Sequence, residues 1–118
     1  MSTMSDPITS FYALTPAKYG YLEELRLSRE ISEDGCSDYT INLTMQPFPL
    51  GGAAKKKLFL TFRGAKDLRI GHLEGLFNLV IEIRDVRDRQ LECISYKIVE
   101  SENNAFSFLC REFDAEVK

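Results

Sequence analysis

The sequence has 118 residues, of which 44% are hydrophobic, and its 15 basic and 18 acidic residues give a formal net charge of −3. This length suits one domain with its own core, so we predict a single domain over residues 1–118, with residues 1–8 flexible. The acidic balance argues against a dedicated nucleic-acid-binding module, because such modules usually show a domain-wide basic excess. One histidine, three cysteines and no tryptophan exclude the commoner metal and disulfide scaffolds.

The predicted elements begin with a short helical turn. Thr15 suits the cap of a helix and Pro16 its first position, and Gly20 predicts an end after about one turn. From there to the C-terminus, apolar and polar residues alternate with the period of two that indicates half-buried β-strands. The alternating segments are residues 21–31, 39–46, 58–63, 79–86, 91–99 and 106–111, with a short extra strand expected around residues 68–70.

This alternation predicts the fold class. Several short segments separated by turn signals, without a long segment of helical period, indicate an all-β domain. We expect a mainly antiparallel meander of about six to seven strands, forming a small sandwich or a partly open barrel. The choice between sandwich and barrel stays open at this point.

The register of the last three strands follows from their apolar faces. An even-length loop between the fourth and fifth predicted strands would place Ile81 opposite Tyr96 and keep the apolar residues on one face. The next hairpin needs an odd loop to keep that same face apolar. Such a loop commonly holds one residue in the left-handed conformation, which Asn103 or Asn104 tolerates well.

The residue types that carry most catalytic and metal chemistry are scarce. His72 is the only histidine, so a zinc site or a histidine base would have no second histidine available. Cys93 and Cys110 fall within predicted strands, where buried, unreactive thiols are the commoner case. We therefore predict no catalytic, cofactor-binding or metal-binding residues, and the balance points away from an enzyme.

Targeting features predict where the protein works. The first 20 residues hold one basic residue and no long apolar run, so a secretion signal is not indicated. The densest apolar patch, residues 76–81, is far too short to span a bilayer. Three cysteines without a Cys-x-x-Cys spacing suit reduced thiols. We predict a cytoplasmic protein without a membrane partner.

Charge is unevenly distributed along the chain. Residues 1–50 hold three basic and seven acidic residues, residues 51–91 hold nine and five, and residues 92–118 hold three and six. A basic middle segment could steer an acidic partner despite the negative total, although charges beside a strand often only protect its edge. The candidate partner-binding residues in this segment are Lys55, Lys56, Lys57, Arg84, Arg87 and Arg89.

These features favour a small, non-enzymatic, cytoplasmic binding protein that acts through a protein–protein surface. Antitoxins, toxin-immunity proteins and self-associating β-domains, including homodimers, all have this physical description. The alternative is a small-molecule-binding β-barrel or sandwich with modest enzymatic activity, in which the second sheet face curls into a polar cleft. The residues that would line this cleft are Phe59, Thr61, Arg63, Glu82, Arg84, Ser95 and Lys97.

Overall fold

The computed structural model describes residues 7–31, 37–47, 56–71, 79–87, 94–102 and 104–118. Within these ranges, one α-helix and one turn of 3₁₀-helix precede seven β-strands. The helix α1 spans Pro7–Ala13 and the 3₁₀ turn spans Pro16–Lys18. The strands are β1 (Tyr21–Ile31), β2 (Ser37–Gln46), β3 (Leu58–Ile70), β4 (Ile81–Asp85), β5 (Tyr96–Glu100), β6 (Phe106–Cys110) and β7 (Glu112–Val117).

The strands form one antiparallel sheet in the order β1-β2-β3-β6-β5-β4, with β7 also paired to β3. The long strand β3 explains this arrangement, because β7 pairs with its first part and β6 with its last part. The sheet is open and does not close into a barrel, which confirms the predicted all-β meander. The extra strand expected around residues 68–70 is the end of β3.

The backbone of β3 is irregular where the strand exchanges β7 for β6 as its neighbour. Gly64 has a φ of +68°, and a Cβ atom there would lie 2.9 Å from the Cβ of Arg111. Asp67 also has a positive φ, and the register with β6 shifts between Lys66 and Arg69. Only glycine adopts the left-handed region without cost, so this irregularity depends on Gly64. It divides the sheet into a first half-sheet (β1, β2, β7 and the start of β3) and a second half-sheet (β4, β5, β6 and the end of β3).

Alternate residues of the strands build a single core on the inner face of the sheet. Phe62 of β3 lies at its centre, fully buried, with ring centroids 4.9 Å from Phe108 and 6.0 Å from Phe113. The helix α1 adds the buried ring of Phe11, 6.4 Å from that of Phe113. One shared core across both half-sheets supports the predicted single domain.

The N-terminal segment also reaches the edge strand β4. The N–H of Ile83 donates to the hydroxyl of Tyr12 at 3.2 Å, and the N–H of Leu79 donates to the carbonyl of Gly20 at 2.9 Å. Pro7 and Ile8, expected to be flexible, belong to α1, while residues 1–6 lie outside the described part. The predicted helical turn is present after Thr15, although its side chain makes no cap hydrogen bond. None of the described helices is long and apolar enough to cross a membrane.

The two predicted hairpins have different outcomes. The connection from β5 to β6 holds an odd number of residues, Ile98 pairs with Phe108, and Asn104 has a φ of +52°, which confirms that prediction. The predicted β4–β5 register is wrong, because Ile81 lies opposite Glu100 rather than Tyr96. The face is nevertheless right, since Ile81 and Tyr96 are both buried.

A buried carboxylate accounts for the observed β4–β5 register. Glu100 is fully buried, and its Oε2 accepts hydrogen bonds from the N–H of Val80 at 2.9 Å and of Glu102 at 3.1 Å. Its Oε1 accepts from the N–H of Ala105 at 3.1 Å. Burying a carboxylate is costly unless such donors surround it. Glu100 therefore ties the start of β4 to the β5–β6 turn.

Candidate partner-binding surface

The outer face of the second half-sheet gathers positive charge from three strands. Arg84 of β4 lies directly opposite Lys97 of β5, which lies opposite Leu109 of β6, and Leu109 in turn lies opposite Lys66 of β3. Directly paired residues point to the same side of a sheet, so these side chains form one row across it. In the neighbouring row, Arg69 of β3 lies opposite an outward-facing serine of β6. We call Lys66, Arg69, Arg84 and Lys97 the basic face.

A groove of about 340 Å³ runs across the basic face. Arg69, Arg84 and Lys97 line it, and a second groove of about 330 Å³ shares Arg69 and Lys97. Ile70, the last residue of β3, also lines the first groove; this residue is 48% exposed and lies opposite the buried Phe106. The remaining lining residues of the first groove are Gly71, Val99, Asn104, Phe106 and Ser107.

The charges of the basic face are only partly compensated. Arg84 lies 3.4 Å from Glu82, and Arg69 lies 3.8 Å from Asp67. Lys66 and Lys97 form no ion pair within the part of the chain that the structure describes. Arg84 and Lys97 are like charges directly opposite each other on neighbouring strands, and such pairs lower the stability of the fold. The face therefore keeps an excess of positive charge that an acidic ligand would neutralise.

The outer face of the first half-sheet differs in its electrostatics. It carries a larger groove of about 620 Å³, but the charged groups there pair with each other. Arg63 lies 2.6 Å from Asp114, and Lys118 lies 3.2 Å from Glu116. The predicted polar cleft is thus divided, because Thr61 and Arg63 line this groove while Arg84 and Lys97 line the other. The small-molecule alternative stays a prediction.

Arg84 and Arg87 do not share one surface. The guanidinium Nε of Arg87 lies 3.0 Å from each carboxylate oxygen of Asp85. The same guanidinium lies over the ring of Tyr96, 5.8 Å from its centroid, and Tyr96 belongs to the buried inner face. Arg87 is therefore turned away from the basic face, whereas Arg84 is part of it. Arg89 lies outside the described residues.

The predicted lysines lie at the far end of β3. Lys56 is exposed, and the Nζ of Lys57 lies 2.8 Å from Glu23 of β1. Lys57 immediately precedes β3 and Lys66 lies in its second half, so up to about 30 Å of extended chain separates them. Lys55 lies outside the described residues. The structure thus brings Arg84 together with Lys66, Arg69 and Lys97, and not with Lys56 or Lys57.

Hydrogen bonding from Arg87 changes the titration of Asp85. Hydrogen bonds from the Arg87 side chain make the largest contribution to stabilising the ionised carboxylate. The backbone N–H of Arg87, 2.9 Å from Oδ1, makes the next largest. Together with the positive charge of Arg87, they lower the pKa of Asp85 from 3.8 to about 2.

This shift predicts a pH-dependent effect of the substitution Asp85→Asn. A carboxyl group whose pKa is lowered by folding stabilises the fold above its unfolded pKa, and this contribution is lost as the pH falls through the folded pKa. The stability difference between wild type and Asp85→Asn should therefore be constant above pH 3.8 and shrink toward pH 2. Urea unfolding of both proteins across this range measures it, and a difference independent of pH would contradict the assignment.

The described residues offer little support for metal binding or for catalysis by a cysteine nucleophile. Within them, no group of three or more His, Cys, Asp or Glu residues is placed to hold a metal ion. Cys110 is fully buried; burial and, to a smaller extent, the charge of Glu112 raise its pKa to about 12. Its thiol is therefore protonated at neutral pH and is a poor nucleophile. His72 and Cys93 lie outside the described residues.

The chain is an open, antiparallel all-β domain with an excess of positive charge on one outer sheet face. A family model described as Immunity protein PIM8 matches residues 3–116, and the chain belongs to this family. The match runs from ahead of α1 into β7 and so includes both half-sheets. No curated protein and no solved structure matches the chain.

Proposed function

We propose that this protein is an immunity protein, which binds a toxin protein and blocks its action without catalysing a reaction itself. The observation that carries the proposal is the family match over residues 3–116, because it includes every described helix and strand except the last residue of β7. Because the match covers nearly all of the described strands, the family description concerns the fold as a whole and not one short motif. We further propose that the protein acts in the cytoplasm of the cell it protects.

The physical character of the domain supports inhibition by binding. Its core is continuous across both half-sheets, so the outer faces are backed by a rigid sheet. A surface formed by paired strands needs little rearrangement to dock, which limits the entropy lost on association. An excess of positive charge on one outer face would also speed the encounter with an oppositely charged partner. A stoichiometric inhibitor that must act before a toxin does damage benefits from both properties.

The test begins with affinity capture of the tagged protein from its source cell, followed by identification of bound proteins by mass spectrometry. Each captured protein is then expressed alone and together with this chain in a neutral host. We expect one captured protein to arrest growth when expressed alone, and co-expression to restore growth. If no captured protein is toxic, or if co-expression leaves a toxic one active, the proposal is wrong.

Native mass spectrometry of the purified complex separates the remaining possibilities. A toxin in stoichiometric complex with this chain supports the proposed function. A mass equal to two copies of this chain alone, with no toxin bound, would favour self-association instead. A small adduct retained by the chain would favour the small-molecule alternative, in which one of the outer-face grooves is the binding site.

A further inference from the structure

We propose that the basic face is the toxin-binding surface and that it receives an acidic segment of the toxin, with at least two aspartate or glutamate side chains. The identity of the partner as a toxin rests on the proposed function, while the acid-binding property belongs to the face itself. The residues assigned to contact the acidic segment are Lys66, Arg69, Arg84 and Lys97.

The positive charges of the basic face lie close together on neighbouring strands. Arg84 and Lys97 are direct cross-strand neighbours, and Lys66 lies in the same row two strands away. A cross-strand pair of like charges lowers the stability of the free protein, so its presence needs a compensating role. A carboxylate placed between these two side chains would relieve the repulsion and gain charge-assisted hydrogen bonds. Binding therefore removes an unfavourable interaction of the free protein.

The groove across the basic face fits a protein segment in both size and composition. Its volume of about 340 Å³ suits a few side chains rather than a large ligand. Val99, which lies opposite the outward-facing Ser107, gives it apolar contact area beside the three cationic groups. Protein segments combine carboxylates with methylene and apolar groups, so they match both parts of this lining. In the larger groove of the first half-sheet both cationic residues, Arg63 and Lys118, have acidic partners, whereas Lys97 of the basic face has none among the described residues.

The charge of the chain and the lining of the groove favour an acidic protein over a nucleic acid. The whole chain has a net charge of −3, which repels an extended polyanion, whereas a short acidic segment meets only the local positive potential. Binding of single-stranded nucleic acid also depends on exposed aromatic rings for base stacking. Phe106, which lines the groove, is buried instead. The geometry favours a protein segment.

The experiment uses three charge-reversal variants. Arg84→Glu and Lys97→Glu alter the basic face. Arg26→Glu is the matched control, because Arg26 on β1 is 66% exposed, Arg84 is 54% exposed, and each lies 3.4 Å from the glutamate two positions before it. The substitutions at Arg26 and Arg84 therefore change the net charge equally and break equivalent ion pairs. Thermal unfolding by circular dichroism shows which variants remain folded.

The first readout uses a hexaglutamate peptide as the probe, so it does not depend on finding a toxin. Amide shifts in NMR spectra should change at the end of β3 and along β4, β5 and β6. Arg84→Glu and Lys97→Glu should each weaken peptide binding about tenfold, and Arg26→Glu less than about twofold. Shifts located elsewhere, or equal losses in all three variants, would overturn the assignment. Tighter binding of a hexathymidine oligonucleotide than of the peptide would also overturn it, in favour of a nucleic acid.

The second readout uses the toxin identified by capture. The double variant Arg84→Glu/Lys97→Glu should lose growth protection, while Arg26→Glu should keep it. Full protection by the folded double variant would refute the basic face as the toxin-binding surface and leave the proposed function intact. A loss caused instead by Lys56→Glu would move the surface to the start of β3. If no toxin exists, the proposed function fails, and the peptide readout still decides whether the face binds acidic segments.

Discussion

Replacing Phe62 with alanine should lower the free energy of unfolding by about 3–5 kcal/mol, the largest effect we expect from a single core substitution. Phe62 is fully buried at the centre of β3 and packs edge-to-face against Phe108, with an interplanar angle of 76°. Its ring also lies beside that of Phe113 on β7. Phe62 therefore packs against a strand of each half-sheet, β6 through Phe108 and β7 through Phe113. The loss is large compared with a typical total stability of about 5–15 kcal/mol. Urea unfolding followed by circular dichroism measures it.

Phe59→Ala is the matched control for this prediction. Phe59 lies on the same strand but on the outer face, half-buried, with the Nζ of Lys118 5.5 Å from its ring centroid. The same loss of volume there should cost less than half as much, since less apolar area leaves water. Phe62→Leu keeps most of the volume and should cost about 1–1.5 kcal/mol if the core repacks. Equal losses for Phe59→Ala and Phe62→Ala would mean that the inner face is not the main core.

Local patterns predict those parts of the fold that depend on residue parity. Alternation of apolar and polar residues places a strand and its buried face correctly, as it does for β2 and β6, because side chains in a strand repeat every two residues. The odd loop between β5 and β6 follows from the same parity, and Asn104 adopts the left-handed conformation there. Both features need only neighbouring residues, so no long-range information is required.

The absolute register between β4 and β5 needs information that parity does not contain. Any shift by two residues keeps Ile81, Ile83 and Ile98 on the inner face, so several registers satisfy the pattern equally. The deciding residue is Glu100, whose burial could not be read from the alternation, because glutamate is rarely fully buried. Its hydrogen bond to the N–H of Val80 selects one register, and this long-range contact has no signal in the alternation.

The candidate surface shows a similar division between local and long-range information. The charge distribution identifies residues 51–91 as basic, and Arg84 does lie on the basic face. Summing charge along the chain treats the segment as one patch, although the extended strand β3 separates Lys57 from Lys66. Lys97 is absent from the predicted partner-binding residues, because its segment of the chain, residues 92–118, is acidic overall. Only the cross-strand register brings Lys97 beside Arg84.

Glu100 connects stability to the proposed binding surface, and its loss should have the second-largest effect. Glu100→Ala should lower the free energy of unfolding by about 3 kcal/mol, because it leaves buried backbone N–H groups without acceptors. The affected donors are those of Val80 and Ala105, with Glu102 at the turn. Glu100→Gln should recover only part of the loss, since its amide NH₂ would face a backbone N–H donor. Urea unfolding measures the stability of both variants. The control is Glu102→Gln, which alters an exposed neighbouring residue and should change the free energy of unfolding by less than about 0.5 kcal/mol.

Glu100→Gln should also weaken ligand binding, although Glu100 is buried and does not contact the ligand. Glu100 joins the start of β4 to the β5–β6 turn, and β4 carries Arg84 to its place opposite Lys97. At a temperature where Glu100→Gln is still folded, loosening β4 should weaken hexaglutamate binding by about two- to fivefold, since a surface that is not held in place loses more entropy on binding. Unchanged affinity in a measurably destabilised Glu100→Gln would show that the basic face does not depend on this anchor. Weaker binding that Glu102→Gln does not reproduce would show that one buried carboxylate supports both the register of the sheet and the surface built on it.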